Sequence, residues 1–200
     1  MTARKRVRKN ESVLDRLAPH EGQEVLRRLL AARPSLRSAA EQLASSLLGE
    51  VTCDAIAAEV EAAVQACDLD DLKGRAGRHE WGYVEPTEAA WEILEDAVEP
   101  FVSDVERHVS LGLESEALEI CKGVVLGLYR VGHGNGDLLE WAQEFPFEAA
   151  AEAVETWRAA RRPKASSRRS RPAFPYDFLE RCAPQWSRIL GHPSPRGGDR

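Results

Sequence analysis

Leu36, Ala39, Ala40, Leu43, Leu47 and Leu48 fall three or four residues apart between Pro34 and Gly49. That spacing predicts an amphipathic helix, with Pro34 in its first turn and Gly49 closing it. The same rhythm runs through most of the chain. Val25, Leu26, Leu29 and Leu30 mark one side of EGQEVLRRLLAAR, after a short helical turn in SVLDRL that ends at Pro19. Ile56, Val60, Ala63, Val64 and Cys67 mark a helix that Thr52 is placed to cap. Ala90, Ile93, Leu94, Ala97, Phe101, Val105 and Val109 mark a long helix with Pro100 inside it, where a missing amide predicts a kink. Gly112 ends that helix. Ala117, Ile120, Cys121, Val124, Val125 and Leu128 follow on the next, and the short turn between the two makes them antiparallel neighbours. GHGNGD breaks the chain, Asp137 is placed to cap a short helix in DLLEWAQEF, and PFEAAAEAVETWRAARR forms the last helix of the body.

Strand alternation is absent from this reading. The fold class is all-α: seven or eight helices in antiparallel pairs, forming an α-solenoid-like repeat or a bundle. DLDDLKGRAGRHEWGYVEP is the longest stretch without helical period. Gly74, Gly77, Gly82 and Pro86 mark it as a loop. Four segments follow. Residues 1–10 are a basic disordered N-terminus and 11–162 the helical domain. Residues 163–175 are a linker rich in Ser, Pro and Arg, and 176–200 hold a short helix, broken near Pro184, and a disordered tail.

Charge sharpens this division. Residues 10–157 carry 11 basic and 30 acidic side chains, a net of −19, whereas residues 158–171 carry seven basic groups and no acid. Residues 1–9 add five more basic groups and no acid. An acidic body therefore lies between basic flanks, and the body itself repels nucleic acid. The four cysteines, Cys53, Cys67, Cys121 and Cys182, form no CxxC pair. Their wide spacing argues for a reducing cytoplasm rather than a disulfide framework, with Cys121 simply buried. No run of eighteen apolar residues exists and the basic start lacks the apolar stretch of a secretory signal, so a membrane role is not expected.

GYVEPTEAAWEILEDAVEPFVSDVERHVSLGLESEALEICKGVVLGLY resembles the helical region found beside SWIM-type zinc fingers in bacterial proteins. Gly82, Tyr83 and Val84 match its glycine-aromatic-Val turn. Gly112 and the run from Glu116 to Val125 match its later turn and second helix, and LEWAQEFPFEAA resembles its closing segment. The likeness covers roughly residues 20–157. The finger's CxC and CxH ligand pairs do not occur in this sequence, so zinc chemistry does not carry over. The resemblance implies a helical scaffold that works through partners and implies no reaction.

Candidate chemistry is sparse. Glu92, Glu95 and Glu99 share a helix face with Asp96 beside them, and acid-base work would need a partner acid across an apolar cleft. The solvated-face reading is preferred. Asp104 and His108 stand four apart, but no ExxH pair of a di-iron bundle is present there, and His108 reads as a polar tip near a helix C-terminus. No GxSxG or phosphate loop occurs. No cofactor, metal or catalytic residue is therefore expected. Lys73, Arg75 and Arg78, followed by Trp81 and Tyr83, form a basic and aromatic island. It either grips a partner through cation and ring or is a loop pinned to the helices by its aromatics. Arg161, Arg162, Lys164, Arg168, Arg169 and Arg171 could contact phosphates without sequence choice, fold back on the acidic body, or only solvate a linker. The expected function is a non-catalytic helical interaction module that binds a protein partner in a groove between helix pairs. A nucleic-acid-associated accessory protein is the alternative.

Overall fold

The computed structural model describes residues 12–80, 82–134, 136–161 and 173–191. The basic start, Trp81, Arg162, Lys164, Arg168, Arg169, Arg171 and the tail from 192 lie outside the described residues. The fold is all-α, with one two-stranded sheet among the described residues. Contacts divide the chain into two units, Met1–Leu48 and Gly49–Arg200. This division falls inside the stretch that the sequence assigns to a single helical domain, and it leaves residues 173–191 in the second unit.

The first unit contributes α1 (Pro19–Ala32) and α2 (Arg37–Gly49). Pro19 stands in the first turn of α1, and the Glu21 carboxylate accepts the Ala18 N–H at 2.9 Å, meeting a donor left over at the helix start. Glu24 holds Arg27 and Arg28 one turn on. The apolar stripes form as helix faces but bury nothing: neither helix has a buried residue, and Leu43 and Leu47 are each 73% exposed. Helix spacing predicts where a stripe lies, not whether anything covers it.

The second unit holds the core. Its helices are α3 (Cys53–Gln65), α4 (Leu69–Arg75), α5 (Pro86–Ser110), α6 (Glu114–Gly132), α7 (Phe145–Ala160), α8 (Tyr176–Cys182) and α9 (Ser187–Leu190). The strands β1 (Gly77–His79) and β2 (Gly82–Val84) form an antiparallel hairpin between α4 and α5. Thr52 caps α3 by accepting the Ala55 N–H at 3.4 Å. The 68–86 stretch is a helix and a hairpin rather than a loop. Asp68 accepts the Asp70 and Asp71 N–H groups, and Asp71 accepts the Asp68 N–H, which closes a capping box around four residues. At the other break the structure departs again. Asp137 makes no side-chain cap, and only a 3-10 turn, Leu138–Glu140, precedes α7.

α6 is central. It packs against α3, α5 and α7, and α5 packs against α7. A solenoid confines contacts to successive repeats, so this is the contact pattern of a bundle around one helix. The run from Gly123 to Leu128 is accordingly buried on every side. α5 runs unbroken through Pro100. It ends in a Schellman motif: Gly112, at φ 79°, donates to Val109, and Leu113 donates to the His108 carbonyl. Gly112→Ala meets no neighbouring atom but must hold that left-handed backbone. It should cost about 1–2 kcal/mol of stability in urea denaturation, with the far-ultraviolet spectrum unchanged.

Phe174, Phe178, Leu179, Ala183 and Leu190 are buried in the same core as the bundle. Phe174 meets Trp157 edge-on at 5.6 Å, and Trp186 meets Tyr129 at 4.9 Å. The buried Arg158 guanidinium donates to the Leu190 carbonyl at 2.6 Å and pairs with Glu155 at 2.7 Å, which supplies the partners a buried charge requires. No described helix is long and apolar enough to cross a membrane.

Candidate functional site

The basic island separates into different roles. Lys73, on α4, pairs with Asp70 at 2.7 Å, an exposed contact that lifts the ammonium's pKa and lowers the carboxylate's. Arg75 ends α4 and reaches α5, pairing with Asp96 at 2.8 Å and Glu92 at 3.8 Å. Glu92 and Asp96 are thus half of an exposed ion-pair network, of the kind that contributes about 0–1 kcal/mol per pair. Arg78 and Tyr83 face each other across the hairpin, and Tyr83 is 62% exposed. Tyr83 therefore does not pin this segment to the body. Leu72, buried, and Val84, packed against the core, do so instead. An open depression of about 760 Å³ lies between α4, β2 and α5, with Arg75 and Asp96 in its wall.

Arg161 is the one member of the proposed phosphate-contacting set within the described residues. Its guanidinium donates to Glu114 at 2.6 Å and lies 5.0 Å from the centre of the Trp157 ring. It joins the end of α7 to the start of α6, an intramolecular contact that would have to break before a phosphate could use the same nitrogens.

A different site forms between α5 and α7. Trp91, Val98, Val102, Phe145 and Ala149 make the apolar floor of a groove of about 250 Å³. Trp91 and Phe145 meet edge-on at 5.2 Å. Glu95 and Glu99 stand on the α5 wall and Glu148 and Glu152 on the α7 wall. Each pair is four residues apart, so the carboxylates on a wall are spaced by about 6 Å. Glu99 also accepts a hydrogen bond from Ser103. The partner acids that the sequence did not mark, opposite Glu95 and Glu99, are therefore those of α7. All four stand on the solvent side of the floor. A carboxyl group becomes an acid catalyst at neutral pH when burial keeps it protonated, and these groups are exposed.

The four cysteines and His108 are partly or fully buried. Burial pushes Cys53 up to about 11, with Glu119 and Asp54 adding to the effect. Burial also raises Cys67 and, further still, Cys121, whose Sγ faces the Ala153 carbonyl at 3.5 Å. These thiols stay protonated near neutral pH, whereas the thiolate is the nucleophile. His108 lies in the last turn of α5, near the helix C-terminus as its place in the sequence predicts, but it is buried. It is 3% exposed, and its Nδ1 lies 2.7 Å from the Asp104 carbonyl oxygen. The Asp104 carboxylate instead pairs with Arg107. Among the described residues no cluster of His, Cys, Asp or Glu has a metal-binding arrangement.

No family model, curated protein or solved structure matches this chain.

No residue of the basic island or of the phosphate-contacting set lines the groove. The signal was half visible, because Glu95 and Glu99 already shared a helix face. Glu148 and Glu152 carry the same spacing, but nothing in a single helix says that it will oppose another.

Proposed function

We propose that this chain is a non-catalytic helical interaction module of the cytoplasm that binds a protein partner through the groove between α5 and α7. The observation that carries the reading is the depression between α5 and α7, where half-buried Trp91 and Val102 overlie the buried Val98, Phe145 and Ala149. Pockets of this shape accept side chains of a docked segment, and a helix in a groove is a common way to fill one. The resemblance to the helical regions beside SWIM-type zinc fingers points the same way, toward a scaffold that acts through partners. The hairpin bearing Arg78 and Tyr83 is a second exposed surface, at a distinct place on the unit. The nucleic-acid alternative rests on basic residues of which only Arg161 is described, and Arg161 is committed to Glu114.

Site-specific photocrosslinking tests the reading. A photoreactive phenylalanine analogue at Val102 should capture a protein partner in the native host. The same analogue at Leu111, exposed at the far end of α5, should capture none. Capture from Tyr83 but not from Val102 would overturn the groove in favour of the hairpin.

A further inference from the structure

We infer that the occupant of the α5–α7 groove is a basic amphipathic helix: an apolar stripe flanked on both sides by Lys or Arg. This deepens the proposed function and rests on it. The groove joins an apolar lining to two glutamates from each of its helices. An apolar floor runs between Val98 and Ala149, and each wall carries two glutamates one turn apart. An extended segment turns alternate side chains to opposite faces, so it cannot press an apolar row onto the floor and offer cations to both walls. A helix can do both. Its residues at i, i+3 and i+4 form the stripe, and the positions beside the stripe project left and right, as in a coiled-coil seam with charged flanks. Cations four apart on that helix recur every ~6 Å, which is the pitch of the carboxylates on the walls.

The charge of the body favours the same sign. Residues 10–157 carry a net charge of −19, so the acidic field that draws a cationic helix toward the groove extends well beyond the four wall residues. A nucleic acid, an anionic membrane or an acidic peptide would be repelled by the same carboxylates. The first-unit stripes and the hairpin lack this pairing of apolar floor with charge on both sides, and so do not define a partner's chemistry.

Binding of three labelled helical peptides of about 18 residues to the full chain tests the inference. They share one Leu stripe and differ in the flanking positions, which are Lys, Gln or Glu. The Lys peptide should bind about tenfold or more tightly than the Gln peptide, and the Glu peptide weakest. Raising salt from about 50 to about 500 mM should weaken the Lys peptide selectively. The combined variant Glu95→Gln, Glu99→Gln, Glu148→Gln, Glu152→Gln should erase the preference. A charge-matched control, Glu59→Gln, Glu106→Gln, Glu140→Gln, Glu180→Gln, alters exposed acids elsewhere and should keep it. Ala149→Trp, which fills the floor, should abolish binding of every peptide. Equal binding of the Lys and Gln peptides, both blocked by Ala149→Trp, would leave the groove as a docking site and overturn its basic partner. Loss of the preference in the control set would overturn it too, by showing a diffuse charge effect. Peptide binding indifferent to Ala149→Trp, or none from any peptide, would overturn the groove reading itself.

Discussion

Phe174→Ala should lower the unfolding free energy by about 3–5 kcal/mol, and a chain ending before residue 173 should unfold without a sharp transition. Phe174 is 1% exposed and stands between Trp157 and Phe178, ring centres 5.6 and 6.1 Å away. Truncating it removes the transfer free energy of a phenyl ring and leaves a cavity beside Trp157, which the bundle cannot close without moving α7. Cutting the whole segment does more. It strips Phe174, Phe178, Leu179, Ala183 and Leu190 from the core, and it removes the Leu190 carbonyl that receives the Arg158 guanidinium. An unmatched buried cation then adds to the lost apolar contact. Urea denaturation followed by both tryptophan fluorescence and circular dichroism measures the effect. Coincident, undiminished transitions in the shortened chain would show that this segment is an appendage rather than part of the core.

Gly127→Ala should destabilise the protein by about 1–3 kcal/mol, although alanine is the better helix former by about 1 kcal/mol. A Cβ on Gly127 would lie 2.7 Å from the Ala57 carbonyl oxygen and 2.9 Å from the Val60 Cβ. One turn earlier, a Cβ on Gly123 would meet the Ile56 Cβ at 2.5 Å and the Cys53 carbonyl oxygen at 2.8 Å. Backbone atoms cannot turn aside as a side chain can, so α3 and α6 must separate along their contact. Gly74→Ala is the control. Gly74 is helical, its added Cβ meets nothing within 4 Å, and the same substitution there should stabilise by about 0.5–1 kcal/mol. Thermal melts of the two single variants check the opposite signs. A stabilised Gly127→Ala would mean that α3 and α6 are further apart than described.

Sequence period recovered α5, α6 and α7 because each carries a long apolar stripe that is in fact buried, as at Ile93, Leu94, Ile120, Val124 and Val154. It failed where the stripe is too short to have a period. α4 offers one buried residue, Leu72, and its start is written in aspartates that also read as a loop. The three-residue strands around Arg78 and Tyr83 cannot show alternation. The short helix after residue 175, with its break near Pro184, was legible, but Phe174 read as linker because it follows a long basic run, and only contact with Trp157 makes it core. Gly123 and Gly127 carry no signal in the sequence, since their worth lies in the distance to another chain segment. The groove was hidden for the same reason. Its floor belongs to two helices with all of α6 between them in the chain, and its charge pattern exists only once they stand side by side.

The central helix has a consequence for how the protein is made. α6 needs α3 and α5, which leave the ribosome before it, and α7, which leaves after it. During synthesis it is therefore an apolar rod covered on only part of its circumference until α7 and the segment carrying Phe174 emerge. That interval is when the nascent chain most needs a chaperone, and slowing translation across residues 133–175 would lengthen it.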